Sequence, residues 1–100
     1  MSEPEEKLSA PQVLTEEHVT ANFSCGEPEL DRFLQNSALN RQKAMLSRTY
    51  VVQAGESIAG YYTLAHVQLQ ASEMPPELSR GMPSSIPAIL MSRLAVDERF

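Results

Sequence analysis

The sequence predicts an α+β domain in which one or two helices lead into a mixed or antiparallel sheet. Three observations carry that reading. From Pro28 onward apolar residues recur at helical spacing. Two runs rich in β-branched and aromatic residues, TYVVQ (49 to 53) and IAGYYTLAHVQLQ (58 to 70), flank the turn AGES. A further apolar run, IPAILMSRLAV, starts at Ile86.

In chain order, residues 1 to 11, with Pro4, Pro11 and mostly polar neighbours, read as a flexible acidic leader, and the folded domain is expected over 12 to 100. VLTEEHVTANFSCG follows, where Val13, Leu14, Val19 and Phe23 are enough for one short strand. The helical pattern then sets Leu30, Phe33, Leu34 and Ala38 on one face, with Arg41, Ala44 and Met45 near it. Gly26 precedes this helix, and Pro28 suits a first turn whose N–H groups have no partner. Glu27, Glu29 and Asp31 complement the positive end of the helix dipole, while Arg41, Lys43 and Arg48 lie toward the negative end.

The two β-rich runs form a hairpin. In its second arm Val67 and Leu69 alternate with His66, Gln68 and Gln70, so that end should have one covered and one wet face. Residues 71 to 85 hold three prolines, a glycine and four serines and read as a loop, with a helical turn at Pro76 to Ser79. In the last strand apolar residues occupy both parities, so both faces expect cover. Pro87 is tolerable near its start, where a ladder donor is dispensable.

One hundred residues make one domain, and 42% hydrophobic with 21% charged residues is ordinary for a globular chain. No apolar run approaches the roughly 18 residues of a membrane span. The N-terminus lacks the basic start and apolar core of a secretory signal, so the cytoplasm is the expected location. Cys25 is the only cysteine, which excludes an internal disulfide and a cysteine-rich zinc site. The net charge of −5 is uneven, since Glu3, Glu5, Glu6, Glu16 and Glu17 face only Lys7 in the first 17 residues. The remainder is nearly balanced, so the overall charge says little about what the folded part binds.

His18 and His66 have no ligand set at metal-binding spacing, so no metal site is expected. Cys25 lies near a helix start that would lower a thiol pKa, but three nearby acids oppose this and favour a packing role. Gly60 in GYY either admits a group close to the backbone or marks a bulge. Arg41, Lys43, Arg48, Arg80 and Arg93 are candidate phosphate contacts. Arg93 stands apart because it interrupts an apolar strand and must reach a partner or water.

Taken together and in order, FSCGEPELDRFLQNSA, RTYVV, IAGYYTLA and MPSSIPAILMSRLAVD resemble the N-terminal half of GNAT-type N-acetyltransferases. Within that family they look like the toxins paired with ribbon-helix-helix antitoxins. The resemblance spans Val13 to Phe100. It implies that 12 to 100 is a partial GNAT domain without its C-terminal half, and that the 86-to-97 strand holds acetyl-CoA. Backbone groups of Leu94, Ala95 and Val96 would pair with the pantetheine arm as another strand does. It further implies an aminoacyl-tRNA acceptor whose acetylation blocks translation, which would give Arg41, Lys43, Arg48, Arg80 and Arg93 phosphates to contact. The family's glycine-rich pyrophosphate loop and its general-acid tyrosine would lie past residue 100. Neither Tyr61 nor Tyr62 matches that tyrosine, and residues 1 to 100 alone are expected to be inactive. The other reading is a catalytically inactive remnant that pairs through its exposed last strand with itself or with an antitoxin segment.

Overall fold

The computed structural model describes residues 7–100. Four strands form one sheet in the order β1-β2-β3-β4, with β1 at Gln12–Val13, β2 at Arg48–Ala54, β3 at Ser57–Gln70 and β4 at Ser85–Val96. Every pair of these strands is antiparallel. The sequence places residues 1 to 11 in a leader, of which 1 to 6 lie outside the described residues. Residues 8 and 9 instead follow the sheet: Leu8 bridges Ala54, and the Ser9 N–H donates to the Gln53 carbonyl at 2.8 Å.

The helical pattern from Pro28 becomes one continuous helical run. It comprises α1 (Pro28–Arg32), a π-helical turn (Phe33–Ser37) and α2 (Ala38–Lys43). Its apolar face is the expected one, with Phe33, Leu34 and Ala38 buried and Leu30 and Leu39 packed against them. The run ends earlier than the sequence pattern suggests. Leu46 N–H donates to the Arg41 carbonyl and Met45 N–H to that of Gln42, a Schellman-type stop that places Met45 at φ 62°. Met45 therefore points away from the core and is 91% exposed, and Ala44 is exposed as well.

The helical run covers one face of the sheet, which carries Thr49 and Val51 from β2, Tyr61 and Thr63 from β3, and Ala95 from β4. Gln42 fastens the helix to the sheet. Its amide donates to the Leu14 carbonyl at 2.8 Å and its carbonyl accepts from Thr49 N–H at 2.9 Å. Tyr61 crosses the core, its ring edge-on to Phe23 and stacked near Phe33, and its hydroxyl donates to the Leu30 carbonyl at 2.7 Å. The opposite face carries the stacked pair Tyr50 and Tyr62, whose centroids are 5.2 Å apart.

Beyond β2 the sheet continues as a two-stranded ribbon of β3 and β4, closed by a 3-10 turn (Ala71–Glu73), α3 (Pro76–Ser79) and loop. The helical turn at 76 to 79 expected from sequence is α3. Two register shifts bend the sheet. On β3, Gly60 pairs with Val52 and Ile58 with Gln53, leaving Ala59 extra; on β4, Arg93 pairs with Thr63 and Met91 with Leu64, leaving Ser92 extra. Such bulges increase local twist and bend the strand that carries the extra residue.

Candidate active-site edge and groove

The end of β4 beyond the Ser92 bulge is held in place by its successor. The Asp97 carboxylate accepts from Ser24 N–H at 2.9 Å, and from the backbone N–H and Nε of Arg99, each at 2.9 Å. The guanidinium of Arg99, with the two backbone N–H groups, holds this carboxyl down to about 2 against its burial. Glu98 N–H donates to the Ser24 carbonyl, so the loop before α1 is laced to the end of β4.

Asp97 N–H donates to the Ala59 carbonyl at 2.8 Å, and this bond fixes the alternation along the strand. In an antiparallel ladder, residues two apart share one direction. Arg93 and Ala95 therefore turn their backbone groups toward β3, and Leu94 and Val96 turn theirs to the other side, where no described strand pairs with β4. The Ala95 carbonyl confirms the direction: a Cβ added at Gly60 would lie 3.0 Å from it. Gly60 thus serves close backbone approach, and the bulge sits beside it at Ala59.

Side chains follow the same parity, with Ala95 6% exposed against 64% for Leu94 and 58% for Val96. Of the three residues singled out by the resemblance, two offer free N–H and C=O groups at an open edge. Ala95 is a core residue whose backbone is directed at β3.

Arg93 points to the helix-covered face. Its guanidinium lies 3.7 Å from the centroid of Phe33, a cation–π contact, within a groove lined by Glu29, Arg32, Phe33, Asn36 and Ser37. Among the described residues no hydrogen bond or ion pair engages it. The other candidate cations do not gather around it. Lys43 is paired with Glu16 and Arg41 is exposed on α2. Arg48 lines a second groove, with Tyr50, Leu64, His66 and Ile89. In register Arg48 is opposite Leu64, so it lies on the far face of the sheet from Arg93. Arg80 follows α3 past the tip of the ribbon, whose closing pair Gln70 and Ser85 lies roughly 26 Å along β4 from Arg93.

The remaining candidates take structural positions. His18 is held locally, its Nδ1 accepting from Thr15 N–H at 2.9 Å and its Nε2 3.3 Å from Gln12 Oε1. No group of three potential metal ligands exists among the described residues. Cys25 packs against the core and burial pushes its thiol pKa up, which is the packing role expected of it. Burial also pushes the Tyr61 phenol up to about 12, and its proton is committed to Leu30. No described helix is long and apolar enough to cross a membrane. The sequence reading missed Asn36, Ser37 and Phe33 as neighbours of Arg93, and Asp97 as the anchor of the edge. The motif RLAVD contained that aspartate, but nothing in it discloses a partner 73 positions upstream.

No family model matches the chain. It is 36% identical over 91 residues to the tRNA-acetylating toxin of Mycobacterium tuberculosis (strain ATCC 25618 / H37Rv), covering 91% of this chain and 55% of that protein. It is 31% identical over 87 residues to a probable toxin TacT of Sinorhizobium fredii (strain NBRC 101917 / NGR234), covering 83% of this chain and 48% of the relative. Among solved structures, AtaT complexed with acetyl-methionyl-tRNAfMet superposes with a TM-score of 0.79 at 25% identity, over 93% of this chain and 58% of that one. A mutant AtaT toxin bound to the C-terminus of the antitoxin AtaR and acetyl-CoA superposes at 0.69 with 24% identity, over 92% and 54%. The class these likenesses and the open-edged sheet define is the GNAT-type N-acetyltransferases. Within it the relatives the chain resembles are named as toxins, and the chain spans about half the length of the curated relatives it matches.

Proposed function

We propose that this chain supplies the cofactor strand and one wall of the acceptor site of an acetyl-CoA-dependent N-acetyltransferase that modifies the amine of an aminoacyl-tRNA and so blocks translation. The observation that carries the reading is the open edge of β4, where Leu94 and Val96 direct backbone donors and acceptors outward beside the groove of Arg93. A pantetheine arm carries amides that can add to such an edge as a strand does. The exposed Leu94 and Val96 side chains would shield it from water. When bound, acetyl-CoA supplies the acetyl group as an activated thioester. The protein's task is then to hold a neutral amine against that thioester in an attacking geometry. Relatives named for tRNA acetylation, and a neighbour solved with acetyl-methionyl-tRNAfMet, support the acceptor.

The same reading implies a ribbon-helix-helix antitoxin as partner and a cytoplasmic location where charged tRNA is found, while a homodimer belongs to pairing through the exposed β4 edge. A second reading, a binding module that pairs through β4 without catalysis, rests on the exposed Ile89, Leu90 and Met91 along that strand. Titrating the 15N-labelled protein with acetyl-CoA separates the two. Binding at the edge should move the Leu94 and Val96 amide resonances and leave Ala95 least affected. If saturating acetyl-CoA leaves Leu94 and Val96 unmoved, the cofactor assignment is wrong.

A further inference from the structure

β3 outruns the strand beside it. β2 begins at Arg48 opposite Leu64, so β3 continues from Ala65 to Gln70 with β4 on one side and no described strand on the other. The Thr49 N–H donates to Gln42 and its carbonyl accepts from the Leu14 N–H, so Thr49 turns its backbone away from β3. In an antiparallel ladder Arg48 and Leu64 are then the hydrogen-bonded pair. By the same alternation His66, Gln68 and Gln70 turn their N–H and C=O groups to the side that β2 does not reach. The Ala71 N–H agrees: it donates to the Ser84 carbonyl at 2.9 Å, which sets the odd-numbered residues toward β4.

At the start of this second open edge lies a groove of about 320 Å³, within the size range of ligand sites. Tyr50, Leu64 and Ile89 give it apolar surface, and the exposed Met45 and Leu46 line it as well. No acid lines it. Arg48 brings a guanidinium that no hydrogen bond or ion pair engages among the described residues, and the Ser47 Oγ is buried there without a partner. A buried hydroxyl in that state is costly and is satisfied by an acceptor brought to it. Strand direction selects which acceptor. A segment added antiparallel to β3 lies in line with β2 and runs the same way, so its carboxyl end arrives at Arg48. It can go no further, because the chain itself enters β2 through Leu46 and Ser47.

We propose that this groove receives the carboxyl terminus of an extended polypeptide whose last side chain is apolar. The last residue pairs with His66: its N–H donates to the His66 carbonyl, and one carboxylate oxygen accepts from the His66 N–H. The other oxygen lies toward the Arg48 guanidinium and the Ser47 hydroxyl, a charge-assisted set of donors. The last side chain shares the face of Arg48 and His66 and enters the apolar lining of Leu64 and Ile89. A segment of the opposite direction would bring an ammonium to the guanidinium instead. The site lies across β3 from the edge of Leu94 and Val96 and uses neither acetyl-CoA nor RNA, so it stands independently of the acetyltransferase reading.

The test is fluorescence anisotropy of the whole chain with the peptide SGVTVTL, labelled at its amino end and prepared as the free acid and as the carboxyl-terminal amide. The acid should bind about tenfold more tightly than the amide, the difference made by hydrogen bonds to a charged group. Arg48→Gln, at an exposed position, should bring the acid down to the affinity of the amide and leave the amide where it was. N-methylation of the last peptide nitrogen, which faces His66, should abolish binding, whereas N-methylation of the one before it, which faces away, should not. The methylated peptides interrogate the edge on the wild-type protein, which keeps the test decisive if Arg48→Gln folds poorly. Failure of the acid to bind, or equal affinity of acid and amide for the wild type, would overturn the proposal. Equal tolerance of the two methyl groups would show that the backbone of β3 does not read the peptide, and would overturn it as well.

Discussion

Asp97 is 2% exposed and accepts from two backbone N–H groups as well as from the Arg99 side chain. Its carboxyl is depressed from an ordinary 3.8 to about 2, with Arg99 as the largest cause. A depressed carboxyl stabilises the fold above the unfolded pKa and loses that contribution as pH falls through the folded one. The window is therefore about pH 4 down to pH 2, and the amount is on the order of 2 kcal/mol. Urea midpoints of the wild type should fall across that window, whereas Asp97→Asn should begin lower and vary less. Parallel pH profiles for the two proteins would show that the Ser24 and Arg99 contacts do not act through this charge. At this scale the sequence was a partial guide. It marked Arg93 as anomalous through the cost of an unpaired charge in an apolar strand. Helical spacing sets Met45 near the apolar face, and its exposure is not legible because a left-handed helix stop normally announces itself with glycine, whereas here the residue is methionine.

At the scale of elements, β2 and β3 are joined inside the core by a hydroxyl pair. Thr49 and Thr63 are fully buried, face each other in register and share a hydrogen bond of 2.8 Å between their Oγ1 atoms. Replacing one by valine strands the other hydroxyl in apolar surroundings, which costs about 1–3 kcal/mol, whereas replacing both removes the need for a partner. Thr49→Val and Thr63→Val should each lower the unfolding free energy by that amount, and the double variant should lose clearly less than their sum. Strict additivity in the cycle would show that the two hydroxyls are not coupled. Element types were readable for physical reasons. Helical spacing from Leu30 to Ala38 and the β-branched runs 49–53 and 58–70 reflect burial on one face, which sequence records directly. The π turn was not readable, because its extra residue preserves the apolar contacts of Phe33, Leu34 and Ala38. The bulges at Ala59 and Ser92 were equally hidden, since only pairing with a distant strand reveals an unpaired residue. The site depended on those hidden features. The parity that separates Leu94 and Val96 from Ala95 is a property of the ladder, whereas the family resemblance treats the three residues alike.

The molecule as a whole is long. It extends 59 × 32 × 23 Å with a radius of gyration of 17.2 Å, against about 13 Å for a compact chain of this length. The excess is the β3–β4 ribbon, whose strands carry a single charged residue, Arg93, between Ser57 and Gln70 and between Ser85 and Val96. Leu69, Ile89, Leu90 and Met91 are exposed along it. A two-stranded ribbon is marginal in water, and an uncharged apolar edge is a template for another strand. The Ser92 bulge divides that edge into an apolar stretch at 86 to 91 and the stretch at 94 to 96 proposed for the cofactor, so in that proposal self-pairing and acetyl-CoA binding need not compete. Sedimentation velocity should show association that rises with concentration through the micromolar range. Ile89→Lys, which places a charge on the edge as natural edge strands do, should sediment as a monomer. In that variant the Leu94 and Val96 amides should still respond to acetyl-CoA, because the charge lies on the other side of the bulge. A monomeric wild type at the highest concentration would exclude self-pairing. A response to acetyl-CoA that disappeared with the dimer would show instead that the two stretches work as one surface.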